Sequence, residues 1–303
     1  MFRVVVALSL VGCFAPDPTT GAPCAAGAPE DERCPSGQFC LQHDGVETCE
    51  TDDIDDPISD RDNDTVIDAL DNCPDVVNPD QADEEADGVG DLCDPCPPFE
   101  GNDDGDGDGV GGACDPNPDT PGDRMISFAG FSSPLPNTWA LSGQFLAGAG
   151  EGLASANETT SAIASFASPS AKRIEIRAAA RLLTITATGQ NLGAVNVVER
   201  FLPADDRGIA CQLSSLADGT QQQLRIFDLD KVAVVNTAPH PLATGAEVEL
   251  RLRRSGETYS CRSTSPLLEI AGSAMFAPAS PRIGLRVRGA SALFHWVMII
   301  TSP

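Results

Sequence analysis

From Met125 to Ile300 apolar and polar residues alternate in short runs broken by Gly, Pro, Asn or Asp. The clearest run is Glu247-Val248-Glu249-Leu250-Arg251-Leu252-Arg253. Val248, Leu250 and Leu252 share one face there and charges the other, the period-two mark of a half-buried strand. Runs of this kind predict strands over 125–131, 161–166, 173–179, 194–201, 208–214, 222–227, 231–237, 247–253, 258–263, 282–288 and 292–300. Many strands and no long helical period predict a mainly β protein ending in an antiparallel β-sandwich, with residues 123–303 long enough to bury one core. Asp228 and Asp230 fall in an expected hairpin turn.

Residues 60–115 follow another rule, with aspartate at every second position interrupted by glycine, cysteine and proline. The middle copy places Asp83, Glu85, Asp87, Asp91 and Asp94 at positions 1, 3, 5, 9 and 12 of a loop, with Gly88 at position 6 and the Val89 carbonyl at position 7. That is the oxygen spacing of a calcium loop. The first copy supplies Asp60, Asp62, Asp64, Val66, Asp68 and Asp71 in the same register, and the third supplies Asp104, Asp106, Asp108, Val110 and Asp115. A disordered acidic linker has no reason to hold this phase three times.

An EF-hand loop leads into an amphipathic helix, but here Asp71-Asn72-Cys73-Pro74 and Leu92-Cys93-Asp94-Pro95 follow the loops. The order Asp71-Asn72-Cys73-Pro74, Asn78-Pro79-Asp80-Gln81, Asp87-Gly88-Val89-Gly90-Asp91-Leu92-Cys93-Asp94 closely resembles the thrombospondin type 3 repeat. The resemblance implies an irregular stalk wrapped around a row of calcium ions, with neighbouring turns bridged as Cys73–Cys93 and Cys96–Cys114. The middle loop should then bind best and the first worst. Thr65 stands where Gly88 and Gly109 stand, and a β-branched residue at positive φ costs about 1–2 kcal/mol.

Charge marks the same stretch independently. Residues 1–122 hold 31 acidic and 3 basic side chains, whereas residues 123–303 hold 14 and 16. The formal net charge of −26 is therefore regional. It argues against nucleic acid as a partner and makes metal binding and folding of the acidic segment one event.

Arg3, the apolar run 4–11 and Leu10-Val11-Gly12-Cys13 read as an export signal too short to span a bilayer. Leucine, a small residue and cysteine resemble the lipobox of bacterial lipoproteins, which implies cleavage after residue 12, lipidation of Cys13 and an outer-membrane or cell-surface location. An ordinary secretory signal is the alternative. Of eleven cysteines, giving Cys13 to lipid leaves ten to pair in an oxidising compartment. Zinc is the competing use of Cys93-x-x-Cys96, but no second close pair or nearby histidine completes a tetrahedral site.

The expected order is a linker over 13–23, a small cysteine-rich module over 24–50, the repeats over 51–122 and the sandwich. The module loosely resembles epidermal-growth-factor or dickkopf knots; its four cysteines allow three connectivities, of which Cys24–Cys40 with Cys34–Cys49 is the one expected. Cys211 and Cys261 fall in two predicted strands and are paired with each other.

The Trp139 region with Gly143-Gln144-Phe145, and the closing run from Ser291 to Val297, resemble a concanavalin A-like or laminin G-like jelly roll. Folds of this kind include lectins and glycosidases. The paired-carboxylate motif of related glucanases is absent, Glu247 and Glu249 read as a solvated face, and His43, His240 and His295 form no nucleophile motif. Trp296 reads as core, and Trp139, Trp296 and Tyr259 offer few aromatic platforms. The expectation is an exported calcium-binding surface lipoprotein of structural or adhesive role, with no enzymatic activity, a surface glycan or protein as ligand, and membrane contact through the lipid alone. The alternative is a lectin-like polysaccharide-binding protein, with a secreted glycoside hydrolase more distant.

Overall fold

A computed structural model describes residues 22–23, 38–43, 46–51 and 59–303, less 132–134, 136–137, 149–150, 158, 190, 242–243, 277 and 279–280. Cys13, Cys24 and Cys34 lie outside the described residues, so the lipidation site and both pairings of the small module do too. The chain divides into two units, residues 1–74 and 75–303. No described residue is helical.

In the first unit β1 (Ala22–Pro23), β2 (Gln38–His43) and β3 (Val46–Thr51) form an antiparallel sheet in the order β1-β3-β2, with Cys40 opposite Cys49. Cys49 and Cys73 are buried and disulfide-bonded. The first aspartate loop belongs to this unit.

The second unit carries β4 (Arg124–Ala129), β5 (Trp139–Ser142), β6 (Gln144–Gly148), β7 (Glu151–Ser155), β8 (Ser161–Ala167), β9 (Arg173–Ile185), β10 (Gly193–Leu202), β11 (Arg207–Ser215), β12 (Gln223–Asp228), β13 (Ala233–Pro239), β14 (Glu247–Ser255), β15 (Thr258–Thr264), β16 (Leu267–Ser273), β17 (Arg282–Arg288) and β18 (Ala290–Ser302). They make an antiparallel jelly-roll sandwich. One sheet runs β13-β12-β11-β10-β17-β8-β5 and the other β16-β15-β14-β9-β18-β7-β6, with β4 paired to the far half of β18. Every strand predicted from alternation has its counterpart.

The core lies between the sheets, where Val195, Val197, Leu213, Leu224, Ile226 and Leu285 meet Ile174, Ile176, Leu250, Leu252, Tyr259 and Phe294. Alternation in β14 places Val248, Leu250 and Leu252 inward, as the sequence reads. The Cys211–Cys261 disulfide, S–S 2.04 Å, joins β11 of one sheet to β15 of the other across 50 residues. Closing a loop of that length removes about 4 kcal/mol of unfolded-chain entropy.

Strands β9 and β18 depart from clean alternation and are buried on both faces over much of their length. The acidic repeats account for this. Cys96, Val110, Cys114 and Phe99 pack on Ala179, Trp296, Met298 and Ile300, on the outer face of the eight-stranded sheet. Phe99 meets the Trp296 ring edge-on at 5.6 Å. Trp296 is thus buried, but beneath the repeats and not in the sandwich core. A stalk standing apart from a sandwich that begins at residue 123 is not the arrangement adopted, because residues 75–122 bury the apolar outer stripe of β9 and β18.

Candidate metal centre

Each aspartate loop is built around its first residue. Asp83 Oδ1 accepts from Ala86 N at 2.8 Å and Oδ2 from Gly88 N at 3.0 Å. Asp104 repeats this with Gly107 N and Gly109 N, both at 2.8 Å. Asp60 accepts from Asp64 N and Thr65 N at 3.1 and 3.0 Å. The position-5 carboxylates Asp64, Asp87 and Asp108 each accept from the N–H two residues on, at Val66, Val89 and Val110. The position-12 carboxylates Asp71, Asp94 and Asp115 do the same to Cys73, Cys96 and Asn117. These Asx-type bonds fix the loops without regular structure.

The winding uses the left-handed region twice per loop. Position 6 holds Thr65 at φ 83°, Gly88 at 94° and Gly109 at 93°, and position 4 holds Asn63 at 62°, Ala86 at 60° and Gly107 at 79°. The strain expected at Thr65 is therefore present. Thr65→Gly is expected to stabilise the first loop by about 1 kcal/mol and raise its calcium affinity several-fold. Calcium titration of the variant that gives wild-type affinity would remove backbone strain as the reason for a weak first loop.

The folded loops bring together Asp60, Asp62 and Asp64, then Asp83, Glu85 and Asp87, then Asp104, Asp106 and Asp108, each set with carboxylate oxygens within 4.8 Å of one another. Calcium takes oxygens at about 2.3–2.6 Å, so oxygens on opposite sides of one ion stand about that far apart. The donor set fits a hard dication. Both oxygens of Asp106 and one of Asp62 are shielded from solvent without a hydrogen-bond donor among the described residues. Buried anionic oxygens are costly unless a cation meets them.

A fourth cluster of Asp108, Asp115 and Asp123 also lies within 4.8 Å, and Asp108 belongs to both it and the third loop. Asp123 is 1% exposed, and Asn117 Nδ2 donates to both its oxygens at 3.1 and 2.8 Å. The sequence reading missed Asp123 because it lies beyond the third loop. The repeat register held the signal, since Asn102 follows Asp94 at the same interval as Asp123 follows Asp115, and Asn102 Nδ2 donates to Asp87 Oδ2 at 3.0 Å.

Position 9 does not join the clusters. Asp68 Oδ1 accepts from Arg61 N at 2.9 Å and Asp91 Oδ1 from Glu84 N at 2.9 Å, so each closes its loop onto the residue after position 1. Asp68 also pairs with the Arg61 guanidinium at 3.2 Å. The expected ligand role of Asp68 and Asp91 gives way to a backbone-closing one, and Gly112 N serves the same end by donating to Asp103 O at 2.8 Å. Asp71 and Asp94 stand outside the three-carboxylate sets of their own loops. Val110 buries its side chain against Cys96 and Cys114.

Electrostatics follow from the crowding. Burial, then a proton shared with Asp94, raises the Glu85 pKa to about 8. Burial, then a proton shared with Asp123, raises Asp115 to about 7. Glu84 and Asp91, pushed up mainly by burial, stand at about 7 and about 6.

A disulfide closes the repeats on themselves, and a charged group ties the third loop to the sandwich. Cys96–Cys114 closes an 18-residue span, and Cys93 is also disulfide-bonded. Arg177 of β9 donates to Ala113 O at 3.0 Å and Cys114 O at 2.8 Å. Its Nε lies 2.5 Å from Glu175, which is 2% exposed and also pairs with Arg251 and Arg253 at 2.6 Å. Burial raises the Glu175 pKa, but the three guanidiniums outweigh it and hold the carboxylate below its ordinary range.

Elsewhere His240, 1% exposed, meets Ser263 Oγ at 2.9 Å, a pair that sequence spacing did not reveal. Ser263 is fully buried and donates to Pro266 O, so the pair holds the turn before β16. His295 lies 3.2 Å from Glu247. Asp228, at the end of β12, is buried against Lys231 at 3.0 Å, and Asp230 pairs with Arg207 at 2.5 Å. No Phe, Tyr or Trp ring of residues 123–303 is exposed; Trp139 is buried against Phe166, and Tyr259 lies in the core.

No family model matches the chain, and no curated protein is found similar to it. Solved structures similar to the sandwich include winged bean basic lectin with Tn-antigen, at 12% identity over 59% of this chain and 100% of that one, TM-score 0.47. Carbohydrate-binding module CBM66 from Bacillus subtilis is 15% identical over 52% and 92%, TM-score 0.40. The CBM2 module of the evolved Dit of Lactobacillus casei phage J-1 is 12% identical over 60% and 96%, TM-score 0.43. At these scores the architecture is read from the sheet order itself.

Proposed function

We propose that the chain is an exported calcium-binding surface protein in which cations bind the aspartate loops and weld the second and third of them to a β-sandwich. The observation that carries this reading is the convergence of carboxylates from positions 1, 3 and 5 in all three loops, together with buried oxygens that no hydrogen bond among the described residues satisfies. Asp60, Asp62 and Asp64, then Asp83, Glu85 and Asp87, then Asp104, Asp106 and Asp108 would hold one ion each, and Asp108, Asp115 and Asp123 a further one. Calcium would supply charge neutralisation, so the role is structural or adhesive. Lipid anchoring at Cys13 belongs to the same reading, and an unchanged membrane fraction for Cys13→Ser would refute it.

The test is thermal unfolding against pH with calcium and with chelator. Glu85 and Asp115 have folded pKa values of about 8 and about 7, above those of free carboxylates. The stability they contribute is therefore full below about pH 4 and lost as pH rises through 7 to 8. In chelator the midpoint should fall from pH 6 to 8.5. In millimolar calcium, which displaces those protons, it should stay level or rise. Identical profiles in both buffers would remove calcium from the reading.

Glycan binding by the sandwich is the second reading. The carbohydrate-binding names of the similar structures agree with it, although they do not argue it, and the lack of an exposed ring means that recognition would rest on polar groups. One such set exists.

A further inference from the structure

The outer face of the seven-stranded sheet differs in character from the acidic loops. Antiparallel register sets Arg286, Asn196, Gln212, Arg225 and Thr237 in one row across β17, β10, β11, β12 and β13. Their chain neighbours Val195, Val197, Leu213, Leu224 and Ile226 point into the core, so the polar row faces away from it. Beside this row a cavity of about 390 Å³, within the size range of small-molecule sites, is lined by Ala194, Gln212, Arg225, Phe227, Arg286 and Arg288 among others.

Asn196, Gln212 and Arg286 are buried, Arg225 is half-buried, and the groups are partly committed. Asn196 Nδ2 donates to Arg286 O at 3.0 Å, and its Oδ1 accepts from Gln212 Nε2 at 2.8 Å. Arg286 and Arg288 both reach Asp206, at 2.5 and 2.8 Å. Arg225 has no such carboxylate among the described residues. Its guanidinium lies 4.8 Å above the Phe227 ring, and its Nε is shielded from solvent with no hydrogen bond. Ser214 Oγ is buried and unbonded as well. In a chain of net charge −26, this cavity sets three guanidiniums against one carboxylate.

A guanidinium desolvated without an anion is costly, whereas its N–H fork matches a carboxylate in two parallel bonds. We infer that this cavity binds a hydroxylated organic anion of the acidic-sugar class, with the sugar carboxylate on Arg225 and a hydroxyl on the Gln212 amide oxygen. The inference rests on the glycan-binding reading and narrows it to one ligand class and one face. It makes no use of the calcium loops.

The experiment is calorimetric titration of the full chain in saturating calcium with the methyl glycosides of glucuronate and galacturonate, and with the neutral methyl glucoside and galactoside. An acidic glycoside should bind at least about tenfold more tightly than its neutral counterpart, the scale of a charged hydrogen-bonded pair. Arg225→Gln should remove that preference, and Arg225→Lys, which keeps charge but not the fork, should keep part of it. Both variants should retain wild-type calcium stoichiometry, which reports that they fold. Failure of both acidic glycosides to bind overturns the inference, as does acidic-sugar binding that survives Arg225→Gln. Neutral-glycoside binding of equal strength, indifferent to Arg225, overturns it while leaving the glycan reading intact.

Discussion

Asp108→Asn is expected to cost the protein two bound calcium ions, while Asp104→Asn costs one. Asp108 belongs to two carboxylate clusters, whereas Asp104 belongs to one. Asp108 Oδ2 also accepts from Gly122 N at 2.8 Å and Asp123 N at 2.6 Å, so it orders the chain that carries the fourth cluster's last carboxylate. Replacing one carboxylate oxygen by an amide nitrogen removes both a charge and a ligand. Loop affinities of extracellular calcium modules lie near 10⁻⁴–10⁻³ M, so at ten times the dissociation constant each ion stabilises the fold by about 1.4 kcal/mol, and losing two should lower the calcium-bound midpoint by about 5–10 °C. Equilibrium dialysis that finds equal stoichiometry for the two variants would show that Asp108 does not bridge two ions.

The second large effect is expected at Glu175, whose carboxylate gathers Arg177, Arg251 and Arg253 beneath the repeats. Glu175→Ala strands the buried Arg177 without its counter-charge, a change that costs about 3–5 kcal/mol. Arg177 also holds the Ala113 and Cys114 carbonyls, so loosening it should free the third loop and weaken calcium there more than at the first loop. In a unit of this size the loss corresponds to a drop of about 10 °C in midpoint. A double-mutant cycle with Arg177→Ala is the decisive measurement. Additive losses would mean that Glu175 and Arg177 do not act as one clamp.

Reading the chain by alternation finds the long strands and misses four short ones in the sandwich, β5, β6, β7 and β16. These carry exposed apolar residues such as Leu141, Leu146, Leu153 and Leu267, which blur the inward-outward contrast on which such reading depends. The pairings Cys96–Cys114 and Cys211–Cys261 were legible, the first from the repeat and the second from strand placement. The polar row from Arg286 to Thr237 was not, since its members come from five strands whose register no local pattern states.

The sequence by itself determined the loop chemistry and the strand content. Both are local: carboxylates at fixed intervals find backbone N–H groups within a few residues, and alternation sorts a strand into two faces. Tertiary structure alone decided that Asp123 joins Asp108 and Asp115, that position 9 closes its loop and stays out of the clusters, and that Trp296 is buried under the repeats. Those outcomes turn on which surface covers which. The apolar outer stripe of β9 and β18 needs a cover, and residues 75–122, with Phe99, Val110 and two cysteines, are the segment of this unit that supplies it.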